Sequence, residues 1–147
     1  MTMYSTVEAA TTYFETRLHS GLWGETSMTD KIAAMTTATR HIDRLSFVGC
    51  KTESDQELQF PRGGDLSVPS DINIACYELA YSLLDGRDPE MELEALAVVS
   101  EGFASVRETF DRSQVQEHLN AGIVSHLAWK YLRPYLRDDH SIKISRV

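Results

Sequence analysis

A single apolar stripe limits the folds open to this chain. Between Pro69 and Leu84, residues Ile72, Ala75, Cys76, Leu79, Ala80, Leu83 and Leu84 recur at steps of three and four. That spacing draws one continuous face on a helix of 3.6 residues per turn. Ser70 stands where an N-cap belongs and Asp71 follows in the first turn, where the helix dipole favours an anion. Gly86 fits a left-handed C-terminal stop. A helix this well marked must bury its stripe against other helices or a sheet.

The rest of the chain supplies helices. Ser5-Thr6-Val7-Glu8 reads as a capping box for a first helix that runs through Ala9, Tyr13, Phe14 and Arg17 to about Leu18. Ser20-Gly21 ends it, and Trp23 reads as a plug that folds the next loop onto the core rather than as a ligand-stacking ring. Thr29-Asp30-Lys31 opens a second helix to about Leu45, with Ile32, Met35, Ala38, Ile42 and Leu45 on its buried side. Lys51 to Glu57 is a polar surface loop, and Gln56 to Val68 continues as a loop punctuated by Phe60-Pro61-Arg62-Gly63-Gly64. After Gly86, Asp88-Pro89 restarts a short helix ending around Ala97, with Asp as cap and Pro at the first helical position.

Residues 98–110 predict a small β-hairpin. Val98 and Val99 favour extended backbone, Glu101-Gly102 is a turn signal, and Ala104, Val106, Glu108 and Phe110 alternate. Helix is the competing reading, because Phe103, Val106 and Phe110 also fit a helical period. Ser113-Gln114-Val115-Gln116 is a second capping box. It opens a long last helix through Leu119, Ile123, Leu127 and Trp129 to about Leu132, broken at Pro134. The expected fold is mainly α, a small bundle of four to five helices with a β-hairpin before the C-terminal helix. Residues 1–137 form one domain and 138–147 an extended tail. The tail alternates at Ile142 and Ile144. That pattern suits addition to a partner's sheet edge, and it equally suits a loose terminus.

Chemistry is sparse. The 147 residues carry a formal net charge of −8, so they gain no general affinity for phosphate backbones. No apolar run approaches the ~20 residues that span a bilayer, and no membrane partner is expected. Cys50 and Cys76 do not form a disulfide scaffold. Cys76 lies on the stripe as a small hydrophobe, and without a disulfide scaffold an intracellular origin is the default. The histidines show no metal-ligand spacing, and His118 and His126, eight apart on one expected helix, lie too far apart for one ion. His41 and Asp43 do not face each other on a helix. Glu90, Glu92, Glu94 and Glu101 read as a solvated face. No nucleophile or phosphate-binding motif occurs, so neither enzymatic activity nor a cofactor is expected. One segment, Trp129 to Arg137, mixes aromatic and basic residues. It could stack and bind single-stranded nucleic acid. Docking on a core or a neighbouring subunit is the preferred reading, because the net charge opposes the first.

The order of motifs is more specific than any of these. Tyr4, Ala10, Tyr13, Phe14 and Arg17 precede Trp23. The pattern K-x-A-A-M-x-x-A-T-x-x-I-D follows from Lys31 to Asp43, then Phe47, Gly49 and Lys51. Q-x-L-x-F-P-R spans Gln56 to Arg62, and V-P-x-x-I-x-x-A-C-x-E-L-A spans Val68 to Ala80. This order resembles the head–tail connector (adaptor, or head-completion) proteins of tailed phages, a group whose relatives are often labelled DnaT-like single-stranded DNA-binding proteins. The resemblance implies a virion protein of the head–tail junction, made in the host cytoplasm. It implies a ring, typically twelve-fold, between the portal protein and the tail or next neck protein, with genomic DNA passing through the lumen. On this reading the expected contacts with portal or neighbour are Phe60, Pro61 and Arg62, and the tail residues His140, Ser141, Ile142, Lys143, Ile144, Ser145, Arg146 and Val147. Phe60-Pro61-Arg62 has an alternative as an anchor within its own subunit. The alternative function is a single-stranded DNA-binding accessory protein.

Overall fold

A computed structural model describes residues 2–102 and 117–138. Seven α-helices occur among them: α1 (Val7–Glu15), α2 (Gly21–Glu25), α3 (Met28–Asp43), α4 (Ser70–Leu84), α5 (Pro89–Gly102), α6 (Glu117–Asn120) and α7 (His126–Leu132). A 3₁₀ turn, Arg133–Tyr135, follows α7. The chain is mainly α as the sequence predicts, with more and shorter helices.

Helix α4 is the centre. It packs chiefly on α3 and α7, and α1 and α2 also touch it. Ile72, Ala75, Cys76, Leu79 and Ala80 of the stripe are buried, while Leu83 and Leu84 are half-buried. Tyr77, Glu78 and Ser82, which lie off the stripe, are buried as well. The partners enclose α4 on more than one side. Thr39 Oγ1 lies 3.5 Å from Cys76 Sγ and donates to Met35 O at 2.9 Å, where α3 and α4 press together. Burial pushes the Cys76 thiol up to about 12. The core gathers Trp23, Tyr4, Met35, Ile42, Ile72, Leu79 and others into one cluster. Trp23 is a buried plug, as expected, but it sits on the short helix α2 rather than in a loop.

Several boundaries differ from the expected ones, each for a local reason. Thr6, not Ser5, caps α1: its Oγ1 accepts from Ala9 N at 3.2 Å, and Ser5 adopts a φ of 66°. Helix α3 starts earlier than Thr29. Ser27 Oγ accepts from Asp30 N at 3.2 Å and donates to Asp30 Oδ2 at 2.7 Å, closing a capping pair that starts the helix at Met28. Pro69 takes the cap position of α4, and Ser70 is its first residue.

The β-hairpin is not supported. Val98 to Gly102 continue α5, which runs from Pro89 past the expected stop at Ala97. Pro89 and the Asp88 cap, with Glu90 N donating to Asp88 Oδ1 at 2.9 Å, nucleate a helix, and its propagation outweighs the β preference of two valines. Residues 103–116, with the rest of the expected hairpin and the second capping box, lie outside the described residues. The two bridges among the described residues, Phe47 with Leu136 and Lys51 with Arg62, are isolated.

The long last helix is also overturned. It breaks after Asn120, where Gly122 takes a φ of 82°. Gly122 N donates to Leu119 O and Ile123 N to His118 O, a helix-ending pattern that needs a left-handed residue. Ser125 then caps α7 by accepting from Ala128 N at 3.1 Å.

Candidate functional site

The loop between α3 and α4 shapes itself around Gln56. Its side-chain amide donates to Leu58 O at 2.7 Å and Pro61 O at 2.9 Å, and its Oε1 accepts from Glu53 N at 3.0 Å. Lys51 Nζ reaches Gln56 O at 3.2 Å. Gly63 N to Cys50 O and Thr52 N to Pro61 O close the base of the loop. The Phe60-Pro61 peptide is cis.

Phe60 turns inward and is 4 % exposed. Edge-on rings surround it: Phe47 at 4.7 Å, Tyr135 at 5.8 Å and Tyr4 at 6.2 Å between centroids, an arrangement in which positive ring edges meet negative faces. Tyr4 does more than pack. Its hydroxyl donates to Asp43 Oδ1 and accepts from Phe60 N, and Asp43 Oδ1 also accepts from Gln59 N at 3.2 Å. Burial, then the hydrogen bond to Asp43 and its charge, raise the Tyr4 hydroxyl far above the ordinary phenol range.

Arg62 fans out over the same turn. Nε donates to Val48 O at 3.1 Å, Nη1 to Gln59 Oε1 at 2.8 Å, and Nη2 to Gly49 O and Phe47 O. A planar five-donor fork suits such a cluster of acceptors, and a lysine ammonium does not. The chain's exit is tied to the same place. Val48 N donates to Tyr135 O and Arg137 N to Ser46 O, both at 3.0 Å. Tyr135 hydroxyl donates to Asp71 at 3.1 Å, and burial with that carboxylate raises its pKa. Of the expected contact residues, Phe60 is therefore in the subunit's own core, with Pro61 and Arg62 at its edge. His140 to Val147 lie outside the described residues.

A second polar cluster was not legible from spacing. Glu78, 2 % exposed, forms a bidentate pair with Arg17, Nε to Oε1 at 3.1 Å and Nη2 to Oε2 at 2.9 Å. Tyr13 hydroxyl donates to Glu78 Oε1 at 2.6 Å. The Arg17 guanidinium lies 4.5 Å from the Tyr81 ring centroid, and Nη1 donates to Leu18 O and His19 O. Both residues occur in the quoted motifs, in Tyr13-Phe14-x-x-Arg17 and Ala75-Cys76-x-Glu78, but the pair joins segments sixty-one apart. This cluster clamps α1 to α4 and offers no open ligand position.

The helix break at Gly122 corrects the reading of the histidine pair. His118 and His126 stack with ring centroids 5.2 Å apart, and His118 Nδ1 lies 2.7 Å from Ile123 O. No group of three or more metal-binding side chains occurs among the described residues. Nor is any helix there long and apolar enough to cross a membrane.

In the aromatic–basic segment Tyr131 and Tyr135 are half-buried against the core, and Lys130 is exposed. Trp129 is 9 % exposed, Leu132 is fully buried, and Tyr135 is engaged with Phe60 and Asp71. Arg133 lies 3.5 Å from Glu117.

The family model described as "Putative DnaT-like ssDNA binding protein" matches residues 2–147. The chain belongs to this family. No curated protein and no solved structure matches it. The matched span takes in the Gln56–Arg62 loop, the Arg17–Glu78 clamp and the residues after Asp138.

Proposed function

We propose that the chain is a non-enzymatic adaptor subunit of a tailed-phage neck, part of a ring that joins the portal to the tail and surrounds the DNA exit channel. The observation that carries this reading is the use made of the Q-x-L-x-F-P-R block. Phe60 and Arg62 are taken up within the subunit, where they fasten three distant segments: the N-terminal Tyr4, the turn after α3, and the exit at Tyr135–Arg137. A block used this way is a fastening of the subunit itself. It fixes the place from which the residues after Asp138 leave, as a subunit requires if its terminal segment meets a partner protein. The net charge of −8 suits a channel wall that DNA passes without adhering.

Its partners on this reading are the portal protein, a tail or downstream neck protein, and further copies of the chain, each copy using two different surfaces in the ring. The test is retention of the full chain on immobilised portal protein. Retention by the intact chain, reduced on deletion of residues 140–147 while the domain stays folded, is the expected result. No retention of the intact chain at any concentration would refute the adaptor role.

A second reading, single-stranded DNA binding, is favoured by the family's description. Sequence-tolerant binding of single strands needs exposed aromatic faces beside a cationic groove. Trp129 and Tyr135 are engaged in the fold instead. Fluorescence anisotropy with a labelled oligo-dT separates the readings. Binding that weakens steeply with salt would favour the second, and no change in anisotropy at low salt would exclude it.

A further inference from the structure

An open groove of about 610 Å³ lies between the N-terminal half of α3 and the C-terminal end of α4. Ala33, Ala34, Leu83 and Leu84 give it an apolar lining, and Glu25 and Asp30 an acidic one. Among the described residues neither carboxylate pairs with a cation. The sequence after Asp139 is complementary. It alternates Ile142, Lys143, Ile144, adds Arg146, and has no acidic side chain from His140 to Val147.

We propose that residues 140–147 of one copy occupy this groove on the neighbouring copy. In an extended segment Ile142 and Ile144 face the same way, towards the alanine and leucine lining. The flexible stems of Lys143 and Arg146 carry their charges to Asp30 and Glu25. The inference rests on the adaptor reading only in naming a second copy as the donor.

Reach argues for the neighbour. The chain leaves from Arg137, bonded to Ser46 just past the end of α3, and Tyr135 holds Asp71 at the start of α4. The groove is at the opposite end of both helices. From Asp71 to Leu83 the helix rise alone covers about 18 Å. Ile142, five residues past Arg137, reaches at most about 18 Å in full extension, which leaves nothing for a detour over the surface. A head-to-tail neighbour can receive both isoleucines without that full, straight extension. Such a contact is heterologous and propagates around a ring.

The experiment is disulfide trapping in the full-length chain with Cys50→Ser, Ala33→Cys and Ile144→Cys, run with and without portal protein on non-reducing gels. A ladder of covalent oligomers that requires both introduced cysteines is the expected result. A cross-link confined to single chains would overturn docking between copies, and absence of any cross-link would overturn docking altogether. If portal binding persists without a ladder, the docking inference fails and the adaptor reading stands. As a second readout, Asp30→Lys should weaken oligomers at least tenfold, and adding Lys143→Asp should restore them. Failure of the pair to restore would contradict the charge complementarity.

Discussion

Phe60→Ala tests whether the signature loop is an anchor of the subunit itself. Phe60 is 4 % exposed and meets Phe47, Tyr135 and Tyr4 edge-on. Truncating a buried phenylalanine costs about 3–5 kcal/mol, and each well-placed aromatic pair adds about 0.5–1.5 kcal/mol. Relaxation of a loop-borne site offsets part of the pair energy, so the predicted loss is about 4 kcal/mol. For a chain of this size that lowers Tm by roughly 8–16 °C. Urea unfolding followed by Trp23 and Trp129 fluorescence measures it, with Phe60→Leu as a milder control. The m-value should be unchanged, since the native state remains compact. A loss below about 1 kcal/mol would refute the anchor and place Phe60's role elsewhere. If Phe60 served mainly a neighbour, the variant would lose assembly at unchanged urea midpoint.

Three further outcomes follow from buried groups. Glu78→Gln should cost about 2 kcal/mol in urea unfolding, below the ~3–5 kcal/mol for breaking a fully buried pair because Arg17 is partly exposed. Arg17→Met with Glu78→Leu should recover most of it, and a neutral Glu78→Gln would remove the clamp from the account. Native protein should show one thiol reactive to a disulfide reagent, the exposed Cys50, because Cys76 is buried with its pKa pushed up to about 12. Two rapidly reacting thiols would contradict the α3–α4 packing. Burial first, then Arg44, lower the pKa of His41 against the opposing pull of Asp88, and its buried Nδ1 has no partner among the described residues. The unfolded chain then binds this proton first, so stability falls as pH drops below about 6.5 and levels off beneath the folded pKa. His41→Gln should flatten that slope, and an unaltered slope would assign it to other groups.

Periodicity made the α3–α4 core legible, because Ile72, Ala75, Cys76, Leu79 and Ala80 face one way and are all buried. It could not show Glu78 buried opposite the stripe, since a charge is buried only where a distant partner meets it, and Arg17 lies in the bend just past α1. The hairpin expectation fails because it rests on the local preference of two valines, whereas the helix nucleated at Pro89 extends through them. The single last helix failed at Gly122, whose left-handed conformation splits it and brings His118 against His126. The Gln56–Arg62 loop was legible as a signature. Its role was not, because Arg62 bonds to backbone carbonyls that leave no trace in residue types.

The adaptor claim is tested most directly by the mass of the species formed when the full chain and portal protein are mixed, measured with oligo-dT present as competitor. The account predicts a discrete complex of one portal ring with a ring of this chain, its mass indifferent to the oligonucleotide. A chain that stays apart from the portal and shifts only with oligo-dT would contradict it.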